Sequence, residues 1–299
     1  MTATPSTVPS PGPRKGIGRR ASGVLSRHPR LHLAGLLGAP LTWLVLIYLG
    51  SLAALLVTSL YTVDGFTGNL VHTTSTTNLH ELITDRTIRI VTQRTIGVAL
   101  AVTVIDLALA LPLAFFMAKV ASRRTRRLLS VAIVLPLWAS YLVKAYCWRV
   151  ILDPSGGVLK KAFGLSPGFG VSGAVIVLAY LWLPYMVLPI YAGLEKLPNS
   201  LLDAAGDLGS RPGGTFRSVV LPLLKPSILA GAVFTFSLSL GDYITVQIVG
   251  GKAQLIGNFI YRDFGAGSIP SAAAFAVVPI LIMVAFLLIV RRSGALENL

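Results

Sequence analysis

Of the chain's 299 residues, 54% are hydrophobic and only 12% charged, roughly half the charged fraction of an ordinary soluble domain, and the mean hydropathy of +0.75 points to lipid. The formal net charge of +15 would suit nucleic acid if it formed one polar face, but the cations sit between long apolar runs, so they read as a membrane-topology signal and exclude a nucleic-acid partner. The single cysteine, Cys147, excludes an intrachain disulfide and reads as a small packing residue.

Residues 1–30 are rich in Pro, Ser, Thr, Gly and Arg without apolar periodicity, so a disordered basic segment is expected there. The Arg19–Arg20 pair precedes an apolar run, Leu33–Leu60, that is too long for a signal peptide and has no small-residue cleavage site; it is read as a retained helix. A spanning helix needs about 20 apolar residues. Stretches of that kind follow at Ile96–Ala118, Leu128–Leu152, Val171–Leu194, Pro226–Val249 and Ser271–Val290, so residues 31–292 are predicted to form one all-α domain of six transmembrane helices, with a short tail at 293–299.

The flanking cations orient the spans. Arg14, Lys15, Arg19, Arg20, Arg27 and Arg30 precede the first span. Lys119, Arg123, Arg124, Arg126 and Arg127 lie between the second and third, Lys196, Arg211, Arg217 and Lys225 between the fourth and fifth, and Arg291 and Arg292 follow the sixth. These outnumber Arg86, Arg89, Arg94, Lys160, Lys161, Lys252 and Arg262 in the other three links, which predicts a multi-pass plasma-membrane protein with both termini cytoplasmic. In the long first outer link, Asn78 followed by Glu81 has the form of a helix start, and Leu79, Leu82 and Ile83 give a short amphipathic helix near the outer surface.

The fourth-to-fifth link, residues 195–222, carries the sharpest pattern. Ser200 followed by Asp203 forms a capping-box start, Pro198 precedes it and Gly209 ends it, so a short helix carrying the small residues Ala204 and Ala205 is expected in a cytoplasmic loop. Pro222 and Pro226 are expected to break the chain before the fifth span. Asp203, Ala204, Ala205, then Gly209, then Val219, Leu221 and Pro222 resemble the cytoplasmic signature of type I ABC importer permeases, with Asp for the commoner Glu and Val for Ile. Further segments are similar to spermidine/putrescine permeases in particular. These are the third-span run with Leu135, Pro136, Trp138, Tyr141, Lys144, Tyr146 and Trp148, the run Gly241 to Gly251 with Asp242 and Tyr243, and Ile256 to Ile260. Ile269–Pro270 departs from the aromatic–Pro usual before the sixth helix.

The resemblance implies a type I ABC importer permease fold whose short cytoplasmic helix is the coupling helix, with Ser200, Asp203, Ala204, Ala205, Gly209, Leu221 and Pro222 as ATPase-coupling residues. It implies two copies of an ATPase subunit, a second permease that is a different chain, and an extracytoplasmic substrate-binding protein in a bacterial inner membrane. The chain has no phosphate-binding loop of the Gly-x4-Gly-Lys-Ser/Thr form, so no cofactor is expected on it; ATP and Mg belong to the partner. Six helices form half of a pathway in this family, and a polyamine is the implied solute, with thiamine, ferric iron or an opine as alternatives.

Charges inside spans are functional candidates. Asp242 and Tyr243, with Trp138, Tyr141 and Lys144, are read as lining a substrate pathway, a carboxylate beside ring faces suiting an ammonium group; the equal alternative has Asp242 capping a helix or pairing with Lys144. Asp106 is expected to pair within the bundle, Arg149 to snorkel from the outer end of its helix, and Trp182 and Tyr185 to serve aromatic packing, with a place facing the pathway as the alternative. His28, His32, His72 and His80 have no carboxylate or Cys partner at ligand spacing, so no metal site is expected. A stand-alone secondary transporter accounts for six spans and two membrane acids but not for the coupling-type helix; uptake without an ATPase would distinguish it.

Overall fold

The computed structural model describes residues 37–38, 40–64, 70–71 and 73–292; the expected basic segment 1–30 and tail 293–299 lie outside them. The chain divides into two units, Met1–Leu55 and Leu56–Leu299. Helix α1 (Pro40–Thr58) is apolar all round, with Trp43, Leu46 and Tyr48 exposed, as suits lipid.

In the second unit a two-residue hairpin, β1 (Thr62–Val63) with β2 (Leu70–Val71), leads to α2 (Thr77–Thr84). Asn78 does not cap this helix. Its Nδ2 donates instead to the carbonyls of Ser59 (3.2 Å) and Tyr61 (2.8 Å), pinning α2 beneath the preceding chain, and Leu82 packs with Ile88, Val91, Phe259 and Phe275 while Ile83 is exposed. Helix α3 (Arg86–Val120) starts where the Asp85 carboxylate accepts from Thr87 N, a side-chain N-cap.

The third apolar stretch is not one straight span. It forms α4 (Arg123–Trp138) and α5 (Tyr141–Leu152), bent by 99°. Ala139 is extended and Ser140 also leaves the helical conformation, and Lys144 Nζ donates back across the bend to the Pro136 carbonyl at 3.0 Å, satisfying a carbonyl freed at the end of α4. Hydropathy counts composition and is blind to two non-helical residues. After α6 (Val158–Phe163), α7 (Val171–Lys196) is an unbroken span despite Pro184 and Pro189.

The coupling-type helix is α8 (Asn199–Asp207). Ser200 makes no cap; the chain enters from Pro198 without a side-chain cap. Its far end closes as the glycine pattern predicts. Gly209 lies at φ +79°, Ser210 N donates to Ala205 O (3.0 Å) and Gly209 N to Gly206 O (2.8 Å), the paired bonds of a left-handed glycine C-cap.

Pro222 and Pro226 do not break the chain. Helix α9 (Pro212–Leu240) runs through both, with a wide π-helical turn at Phe216–Val220 immediately before Leu221–Pro222; the looser turn absorbs the clash a proline ring makes with the preceding turn. The break comes later, at Gly241–Tyr243, before α10 (Ile244–Val249), α11 (Ile256–Gly265) and α12 (Ile269–Arg292). Asp242 therefore sits in a gap between helices, not within a fifth span. Among the described residues, five helices are long and apolar enough to span, six counting the bent α4–α5 pair as one.

Close contacts set the bundle. Lys119, at the end of α3, reaches Leu197 just past α7, so α3 and α7 run the same way, and Ile256 N donates to Thr95 Oγ1 (2.9 Å) near the start of α3, placing α11 at the other end. Helix α9 runs antiparallel to α7, with Gly193 facing Ser227 and Gly231 facing Met186; small residues let the backbones approach. Around them Ala110, Ala114, Val187, Ile190, Leu194 and Leu224 form the core. The hydroxyls of Thr95, Thr103 and Thr235 bond backbone carbonyls in their own helices, which lets them enter the core, and that of Thr95 also accepts from Ile256 N of α11.

Candidate functional site

At the end of the bundle away from α8, a cavity of about 380 Å³ is lined by Tyr141, Trp182, Ser237, Leu238, Gly241, Asp242, Tyr243 and Ile244. Each wall follows from a local feature. Tyr141 opens α5 because the chain has just turned at Ser140; Trp182 lies midway along α7; the others occupy the last turn of α9 and the gap after it. Asp242 is 8% exposed, and its carboxylate is held from three directions. Thr245 N donates to Oδ1 at 2.8 Å, which caps α10, Thr245 Oγ1 lies 3.3 Å from Oδ2, and the Tyr141 hydroxyl donates to Oδ2. A buried carboxylate is tolerated when paired with donors in this way. Tyr141 stacks on Trp182 at 6.0 Å, Trp182 meets Tyr185 edge-on at 5.8 Å, and Tyr243 stacks on Tyr261 at 4.8 Å. A carboxylate rimmed by ring faces can attract an organic cation.

Of the residues read as a pathway, Tyr141, Asp242 and Tyr243 come together. Trp138 and Lys144 do not: Trp138 is 86% exposed at the bend, and Lys144 spans that bend to Pro136. The Lys144–Asp242 pairing is absent, whereas the capping role weighed for Asp242 is present, through Thr245. Trp182, weighed as pathway-facing or packing, lines the cavity and packs with Tyr141 and Tyr185; Ser237 and Thr245 complete the site beyond the sequence reading, and the three-residue spacing from an acceptor side chain, Asp242, was the signal available for Thr245. Asp106, expected to pair, is fully buried in α3 with no hydrogen-bond partner for either carboxylate oxygen among the described residues. Arg149 is exposed and is also tied down: Nη1 donates to Ile248 O at 2.5 Å and the guanidinium lies 5.1 Å from the Phe169 ring centroid, fastening α5 to α10.

At the other end, α8 turns Leu202 onto the core and leaves Leu201, Asp203, Ala204 and Leu208 exposed, Leu208 at 89%. Ala205 is half-buried and Ser200 exposed. Leu221 and Pro222 lie inside α9 rather than on α8.

Residues 110–296 match the family described as binding-protein-dependent transport system inner membrane component. The chain belongs to this family. Along its length it is 42% identical to the inner membrane ABC transporter permease protein YdcU of Escherichia coli (strain K12), over 96% of this chain and 97% of that one. It is 32% identical to the spermidine/putrescine transport system permease protein PotB of the same organism, over 68% of this chain and 77% of that one. A crystal structure of a bacterial ABC transporter that imports alginate shares the fold at a TM-score of 0.65 and 17% identity, covering 91% of this chain and 99% of that one. The chain is thus a multi-pass inner-membrane permease subunit of an ABC importer, a non-catalytic transport component.

Proposed function

We propose that this permease supplies half of a translocation pathway for a polyamine of the spermidine or putrescine kind, driven by a separate ATPase seated on α8. The observation that carries the solute reading is the Asp242 cavity, whose one carboxylate lies among Tyr141, Trp182 and Tyr243; the similarity to PotB supports it. In this reading ATP and Mg reside on two ATPase copies, a second and different permease completes the pathway, and an extracytoplasmic binding protein delivers the solute. Both termini are cytoplasmic: Lys119, Arg123, Arg126, Lys196 and Arg211 cluster around the α8 end, the side cationic loops favour.

The test is reconstitution of the full complex in liposomes with labelled putrescine and spermidine. ATP-dependent uptake is expected for at least one, with thiamine or ferric iron not competing; competition by either would move the solute assignment to that class. The seat on α8 has its own test. Ala204→Trp on the exposed face is expected to weaken ATPase co-purification by at least about tenfold, the scale of a clash in an interface core, while the permease keeps its thermal unfolding profile. Undiminished co-purification would remove α8 as the seat.

A further inference from the structure

We infer that Lys119 is a positioning residue that carries displacement of α8 into α3 and from there to the Asp242 cavity. The inference rests on the reading of α8 as the ATPase-bearing helix.

Lys119 ends α3, and its Nζ donates to the Leu197 carbonyl at 2.6 Å and to Asn199 Oδ1 at 3.1 Å. Leu197 belongs to the link that leads into α8, and Asn199 is its first residue. An ammonium group shared between a carbonyl and an amide oxygen is a strong, directional tie. The surroundings stiffen it. Arg126 at the start of α4 donates from Nε to Met117 O and from Nη2 to Ala118 O, both 2.9 Å, and its Nη1 lies 3.8 Å from Glu195 Oε1 at the end of α7; the Tyr191 hydroxyl donates to the same carboxylate. The ends of α3 and α7 and the start of α4 are thereby one polar knot, with Lys119 its member that touches α8.

Helix α8 also meets α9 directly, where Leu202 packs into the same cluster as Phe216 and Val220, beside a cavity of about 260 Å³ lined by Phe115, Leu202, Gly206, Pro212, Phe216 and Val220; the Lys119 tie is the polar, directional link beside that apolar one. From Lys119, in a π-helical turn at Phe116–Val120, α3 continues as one helix past Pro112 to Thr95, about 36 Å at the helical rise of 1.5 Å per residue. There Thr95 Oγ1 accepts from Ile256 N at 2.9 Å. Helix α11, which begins at Ile256, holds the cavity wall, since Asn258 Nδ2 donates to Tyr243 O at 3.1 Å. These contacts join α8 to the cavity through one continuous helix, a physical connection of the kind that coupling requires.

The test uses the complete complex in liposomes and measures uptake and ATP hydrolysis together. Lys119→Met keeps the chain length and the half-buried stem but donates no hydrogen bond. Uptake per ATP hydrolysed is expected to fall by about tenfold or more, the usual size of a lost coupling contact, and Lys119→Arg to restore most of it; a structural role alone would lower both rates together. A second arm needs no solute. In a Cys147→Ser background, labelling of Ser237→Cys by a membrane-impermeant maleimide is expected to change when ATP and vanadate trap the complex, and to stop changing with Lys119→Met. If the change persists in Lys119→Met, or uptake per ATP equals that of the parent, the inference is overturned while the seat on α8 stands. If the Lys119 parent shows no nucleotide-dependent change, the α8 reading fails and this inference with it.

Discussion

Asp242→Ala is expected to reduce solute uptake about a hundredfold. The substitution removes the acceptor for the Thr245 backbone, the Thr245 hydroxyl and the Tyr141 hydroxyl at once. Each hydrogen bond to a charged group contributes about 1.5–3 kcal/mol, and about 1.4 kcal/mol is a factor of ten, so losing two of them alone reaches that range. The loss has two parts that other variants separate. Tyr141→Phe keeps the α10 cap and removes only the tie between α5 and α10; it is expected to lower the unfolding temperature with a smaller fall in uptake. Asp242→Asn keeps an oxygen for Thr245 N but no negative charge, so the fold is expected to survive while cation uptake drops. Uptake in proteoliposomes beside thermal unfolding in detergent checks all three. If Asp242→Asn transports polyamine like the parent, Asp242 is a cap and nothing more.

Gly231→Leu is expected to abolish the yield of folded permease. A Cβ at Gly231 meets Met186 Sδ at 2.7 Å and the Met186 Cα and carbonyl oxygen at 3.2 Å. The thioether can swing away, but the backbone atoms of α7 cannot, and the remaining Leu atoms have nowhere to go in a core at crystal-like density. Overpacking typically costs about 1–3 kcal/mol, and here it opposes the α7–α9 crossing that organises the bundle. Gly193 provides the contrast. Its Cβ meets Ser227 Oγ at 2.3 Å and Ser227 Cβ at 2.9 Å, both side-chain atoms. Gly193→Ala is therefore expected to be harmful alone and rescued by Ser227→Gly, whereas no side-chain truncation on α7 rescues Gly231→Leu. Monodisperse yield after solubilisation reads both; equal yields for Gly231→Leu and parent would show that the helices part at little cost.

The membrane class and most spans were legible because a helix that crosses lipid announces itself in composition: nothing but a run of apolar residues is stable there. The end of α8 was legible because Gly209 supplies a left-handed residue where a glycine cap needs one. Its start was misread. Ser200 has the right side chain for a cap but sits two residues past the cap position, Pro198, and a register shift of one or two residues is beyond pattern reading. Pro222 and Pro226 were misread as breaks: the π-helical turn at Phe216–Val220 absorbs what Pro222 does in an ordinary helix, and the helix continues through Pro226 as well.

The amino-acid sequence by itself determined the apolar spans, the charge asymmetry of their flanks and the short helix with its glycine stop, since each depends on residues near one another in the chain. Only the tertiary structure decided the 99° bend before Tyr141, the gap that frees Asp242 from a helix, and the meeting of Tyr141 with Asp242 across a hundred residues. Likewise, nothing in the local pattern of Lys119 or Lys144 says that one clasps the start of α8 and the other spans a bend. The physical reason is range. Hydropathy and caps act over a turn or two, whereas a buried carboxylate or ammonium takes whichever partner the packed helices bring within about 3 Å, and that partner is set by how α3, α5, α7 and α9 cross.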